Sequence, residues 1–234
     1  MIYKETEEIR DMNHCFRYVF MLSLLLFWIP FANAQGSADI NIGFGTTHVK
    51  PSGSGIDSIN SINAFGPCTP GTGDPNCLAT PGLNGLFLGF GGDAMISKLF
   101  GVGGEISFLP SKGNYGPLQF RETFYDFNGI FAPINEKHVV LKLMGGIGGA
   151  KTGFSFDQSA CVGTAVVCTS SSTSVGSSSH FQVHAGVGVE VFLTEHVFVR
   201  PQFDLRYIPN FTDQFGSNVV PGGMFWIGFR TGSR

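Results

Sequence analysis

Between His180 and Leu193 the side chains alternate without a break. The even positions hold His180, Gln182, His184, Gly186, Gly188, Glu190 and Phe192; the odd ones hold Phe181, Val183, Ala185, Val187, Val189, Val191 and Leu193. A period of two sustained this long specifies a strand with two unlike faces. Segment 197–207 repeats it, with Arg200, Gln202, Asp204 and Arg206 against Val197, Val199, Pro201, Phe203, Leu205 and Tyr207. Eight such segments occur, at 38–48, 84–96, 99–109, 118–131, 138–152, 179–193, 196–208 and 219–231. Thirty-three of 234 residues are Gly, about twice the usual share of roughly 7%. Scattered glycine disfavours a helical bundle, where each interior Gly costs about 1 kcal/mol, and 13% charged residues disfavours disorder. One all-β domain is expected.

A leader precedes it. Residues Val19 to Phe31 are almost wholly apolar and are followed by Ala32-Asn33-Ala34 and Gln35, the pattern of a secretory signal cleaved between Ala34 and Gln35. The run is shorter than the ~20 apolar residues that a spanning helix needs, which disfavours the alternative, an uncleaved helical anchor. The acidic stretch Lys4 to Asp11 suits a start at Met12. Residues 1–34 are therefore expected as signal peptide and 35–234 as the mature domain. Cys15 leaves with the signal; Cys68/Cys77 and Cys161/Cys168 remain as two close pairs. Four cysteines allow three connectivities, and proximity favours two local disulfides in an oxidising compartment. Their Pro, Gly, Thr and Ser flanks carry no His at zinc-ligand spacing, so no metal is expected. A formal charge of −3 provides no basic field for nucleic acid.

The connections alternate in length. Turns near 97–98, 133–137 and 194–196 are short; 49–83, 110–117, 153–178 and 209–218 are longer and polar, and two of them hold the cysteine pairs. Short turns at one end and long loops at the other characterise an outer-membrane barrel. A water-soluble carrier barrel would turn the apolar face inward. Here that face is a dense wall of Val, Leu, Ile and Phe, whereas eight strands enclose only room for side chains. Gly and a few charges fit inside; the wall is expected to face lipid. An open sheet is excluded there, because edge groups in hydrocarbon have no partners. The expectation is an all-β, eight-stranded, antiparallel up-and-down transmembrane β-barrel with short periplasmic turns and long extracellular loops.

With these features the chain resembles the small outer-membrane β-barrel family, the OmpA-transmembrane and OmpX-like group, over residues 38–231. The last strand, Phe225-Trp226-Ile227-Gly228-Phe229-Arg230, looks like the assembly signal of such proteins, with Phe225, Ile227 and Phe229 on one face. Members usually end on an aromatic residue; here Thr231-Gly232-Ser233-Arg234 follows. The peptidoglycan-binding domain of longer members is not expected, nor is their wall-tethering role. The resemblance implies residence in the bacterial outer membrane, with outer-membrane lipids and the barrel-assembly machinery as partners.

The inward charges form the sharpest constellation. A turn centred on Glu195 sets Glu190 opposite Arg200 and His184 opposite Arg206. A turn centred on Asn135 sets Asn128 opposite Lys142, with Asp126 diagonal to it. Asp126, Lys142, Glu190 and Arg200 are expected to form one salt-bridged layer, with Asp204 and Arg206 on the same inner face, because an unpaired ion in so narrow a lumen costs several kcal/mol. Asp93, Glu105, Glu122 and Arg230 should also point inward. Phe120 and Phe124 share parity with Glu122, which suggests a bulge in that strand.

Other motifs fail. Gly145 to Thr152 resembles a phosphate loop, but Ala150 replaces its second glycine and no helix follows. His184 and Glu190 stand roughly 20 Å apart along one strand, and His180 and His184 about 13 Å. Ser179-His180 is the candidate for a lipid-modifying hydrolase or acyltransferase. No catalytic residue, cofactor or metal is expected. The expected function is a non-enzymatic, monomeric envelope protein whose disulfide-pinned loops meet an unidentified extracellular ligand; the alternatives are a narrow channel for ions or small solutes, or a lipid-modifying enzyme.

Overall fold

The computed structural model describes residues 36–51, 55–57, 67–68, 77–79, 81–115, 118–162 and 167–232. The expected signal peptide, residues 1–34, and its expected cleavage between Ala34 and Gln35 lie outside the described residues. Eight long strands carry the fold: β1 (Ala38–Thr47), β2 (Leu86–Met95), β3 (Phe100–Phe108), β4 (Leu118–Asn135), β5 (Val139–Val162), β6 (Val167–Phe192), β7 (Val197–Tyr207) and β8 (Val219–Thr231). Each pairs antiparallel with its neighbours in sequence. β1 pairs with β8 from Ala38↔Thr231 to Thr47↔Gly222, so the ring closes with no open edge along the shared height of the strands.

The faces divide as the alternation requires. Val187, Val191, Phe203 and Leu205 are 39–53% exposed on the outer wall, whereas Lys142, Glu190, Arg200 and Asp204 are fully buried inside. A carrier barrel would show the reverse. Placing an ion on the outer wall is therefore expensive only in a membrane. Val187→Lys, at mid-height, should lower stability in lipid bilayers by about 2–4 kcal/mol, measured by urea titration of heat-modifiable gel migration. A water-facing position would give a change within about 0.5 kcal/mol, and that result would reverse the assignment of faces.

Two segments differ from the sequence expectation. Segment 153–178, expected as a loop, is mostly strand: β5 and β6 continue past the ring as a hairpin with Ser174↔Ser155 and Ser172↔Asp157 still paired. Its Ser and Thr residues read as loop because no core face marks them, yet cross-strand hydroxyl pairs hold such a ladder. Lys112 Nζ braces it, donating to both Asp157 oxygens at 2.7 and 3.0 Å. The bulge expected near Phe120 is absent; β4 keeps register with β5 from Gln119 to Phe131, and the irregularity falls between Phe131 and Ile134, at Pro133, which has no N–H to donate. Phe120, Glu122 and Phe124 all face inward.

The interior is layered. At the loop end Phe87, Phe120, Phe124, Phe154 and Trp226 pack under Phe211 and Phe215, which the 209–218 loop folds over the mouth through a 3-10 turn at Phe211–Asp213. At the turn end Met95, Ile130, Val140, Met144, Phe192 and Phe198 form a second apolar layer. The lumen was expected to hold only glycine and charges; aromatic rings enter it at both ends because glycines face them. A β-carbon at Gly43 or Gly89 would stand 2.5 Å from the Trp226 ring, so only glycine leaves the indole room.

Candidate functional site: a two-tier charge network in the lumen

Between the apolar layers every strand contributes a charged or amide side chain. In the lower tier β1 brings Asp39, β2 Asp93, β3 Glu105, β5 Lys142, β6 Glu190, β7 Arg200 and β8 Arg230, all buried. Lys142 Nζ lies 2.9 Å from Asp39, 2.9 Å from Asp93 and 2.6 Å from Glu190. Arg200 spans Asp93 at 2.7 Å and Glu105 at 2.6 Å, with Glu190 3.7 Å away. Arg230 holds Asp39 through Nε at 2.6 Å and Glu190 through Nη2 at 2.7 Å, its guanidinium resting over Phe192. Asp39, Asp93 and Glu190 are close enough to hold a cation, but the ammonium of Lys142 already occupies that position.

The upper tier lies nearer the loop end. Arg206 pairs with Asp126 at 3.1 Å, and Gln182 donates to the other Asp126 oxygen at 2.6 Å. His184 sits between Asn128 (2.8 Å) and Asp204 (2.9 Å). Gln202 joins the tiers, donating to Glu105 and to Asp204, each at 2.8 Å. Above them Glu122 takes a hydrogen bond from Thr152 among the loop-end rings.

Several expectations meet this geometry directly. His184 and Arg206 are Cα partners, and Glu190 and Arg200 share the inner face. Asp93, Glu105, Glu122 and Arg230 point inward. Two expectations do not hold. Asp126 does not belong to the layer of Lys142, Glu190 and Arg200; it pairs with Arg206 one tier higher. Asn128 faces Gly146, not Lys142, because the turn closes between Glu136 and Val139, further along the chain than a turn centred on Asn135; the irregularity around Pro133 alters the register by a single residue. Asp39 escaped the sequence reading altogether, although Asp39, Asn41 and Gly43 alternate with Ile40, Ile42 and Phe44 and so carried the same signal.

The remaining candidates lie apart. Ser179 and His180 project to opposite faces of β6, and His180 Nε2 lies 3.3 Å from Gln214 Oε1, so no hydroxyl–imidazole pair forms between them. Cys161 and Cys168 are Cα partners across the β5–β6 hairpin. Cys68 and Cys77 lie on two short strands that flank Gly55–Asp57. At the turn end a cavity of about 730 Å³ opens to the periplasmic side and is floored by Met95, Phe192 and Arg230.

Solved structures similar to the chain include Ail of Yersinia pestis (13% identity, TM-score 0.49, 84% of this chain and 99% of that one). Also similar are the neisserial surface protein NspA (11%, 0.45, 85% and 97%) and OprG of Pseudomonas aeruginosa (14%, 0.47, 86% and 100%). No curated protein sequence matches. Residues 19–224 match the outer membrane protein beta-barrel domain, and the chain belongs to that family, as a barrel of the bacterial outer membrane.

Proposed function

We propose that this barrel is a non-enzymatic structural protein of the outer membrane that presents its loops to the outside and keeps its lumen closed. Residues 1–34 serve as its export signal. The observation that carries the reading is the stacking of two ion-paired tiers between two apolar layers. A solute crossing the barrel would have to part buried ion pairs, and leaving one such partner unpaired costs about 3–5 kcal/mol. The rigid ring then acts as a support for recognition at the loops, namely 49–83, with Cys68 and Cys77, and the β5–β6 hairpin. Cys161 and Cys168 are Cα partners across that hairpin, and antiparallel partners stand about 4.5–5.5 Å apart at Cα, within the range a disulfide spans.

Planar-bilayer recording on purified, refolded protein tests this. The expected trace shows no discrete conductance steps. Reproducible steps that change size in Arg200→Gln would instead assign the lumen as a narrow ion path.

A further inference from the structure

Among the described residues, the outer wall of the barrel carries a concentration of positive charge on β4 and β5. Arg121 on β4 and Lys151 on β5 are exposed and point outward. Arg121 faces Gly153 and Thr123 faces Lys151, so the two basic residues are diagonal neighbours with Cα atoms about 7–8 Å apart. Across β5, Gly153 faces Ser177 and Lys151 faces Ser179, both exposed. The patch thus holds two cations and three hydroxyls, with no carboxylate. A β-carbon at Gly153 would meet nothing nearer than the Arg121 carbonyl at 4.0 Å, which leaves a notch in the wall opposite Arg121. Among the described residues neither cation is in an ion pair, and the acid further up this face, Asp157, is held by Lys112.

Height decides what this notch meets. Phe131, Phe127 and Tyr125 lie below Arg121 on the same outward face, all exposed. Ten residues of tilted strand from Phe131 to Arg121 rise ~25 Å, the height of a barrel's apolar band. Arg121 and Lys151 therefore stand at the headgroup level of the loop-side leaflet. That leaflet of a bacterial outer membrane is built of phosphorylated glycolipid, and paired cations beside hydroxyls suit a phosphate monoester.

We propose that Arg121 and Lys151, with Thr123, Ser177 and Ser179 around them, form a docking site for a phosphate of the outer-leaflet glycolipid, seating one lipid molecule against the β4–β6 wall. The site rests on the outer-membrane placement of the barrel and not on whether the lumen conducts.

Native mass spectrometry of the detergent-extracted full chain with added diphosphoryl lipid A tests it. The wild type should retain one lipid A. Arg121→Gln/Lys151→Gln should reduce retention roughly thirty-fold while keeping heat-modifiable migration. Chemically dephosphorylated lipid A should be retained as poorly by the wild type. Lys98→Gln/Lys137→Gln, which removes equal charge from the turn end, should bind as the wild type does. Equal retention by the Arg121/Lys151 double variant, equal retention of the dephosphorylated lipid, or an equal loss in the turn-end variant overturns the proposal. Displacement of the lipid by millimolar inorganic phosphate also overturns it, by showing a free-anion site.

Discussion

Lys142→Met should be the most damaging single substitution in the barrel. Methionine nearly matches the volume of lysine, so the packing change is small and the effect isolates the charge. In the wild type, one ammonium is shared by Asp39, Asp93 and Glu190 at 2.6–2.9 Å. Without it, four carboxylates of the lower tier face only Arg200 and Arg230. Removing one partner of a buried ionic group costs about 3–5 kcal/mol, and three acids share this one. The measurement is urea unfolding in lipid vesicles, read by heat-modifiable migration and tryptophan fluorescence. Asp93→Asn in the Lys142→Met background should recover part of the loss, since the deficit is one of countercharge. A loss below about 1 kcal/mol would mean that water, and not Lys142, compensates these acids.

Trp226→Ala is expected to cost about 3–5 kcal/mol, for a different reason. The indole is 1% exposed, fits against Gly43 and Gly89, and places its ring under the Arg200 guanidinium at 5.5 Å. It sits on β8, at the β1–β8 seam that closes the ring. Truncation leaves a cavity between rigid strands that cannot collapse into it, and strips one face of Arg200. Phe225→Ala, one residue away but on the outer wall, removes a ring that lipid replaces. It should cost well under half as much by the same urea titration. Equal losses for the two variants would place Trp226 outside the energetic core.

The alternation in 180–193 and 197–207, read from the sequence alone, established strands, their two faces and the closed ring. This succeeded because the period-two pattern is a local property of the chain. The turn at 194–196 was short enough to fix its own register, so His184 was correctly paired with Arg206. At 133–137 the same arithmetic failed, because β4 runs on to Asn135 and the turn closes at Glu136–Val139, beyond the polar stretch that marked its centre; the irregularity at Pro133 adds a shift of one residue. Segment 153–178 was missed as strand because both of its faces meet water, which removes the polar–apolar contrast that marks a strand.

The composition of the charge tiers was decided only by closure of the barrel. Asp39 meets Arg230 across 191 residues of chain and Lys142 across 103, and Arg200 meets Asp93 across 107. Alternation states that such side chains point inward, but it does not state their height. Height depends on strand tilt and on the stagger accumulated around eight strands, a property of the ring as a whole. The separation of Asp126 from Lys142 into different tiers, and the capping of both tiers by aromatic rings at glycine positions, follow from that stagger.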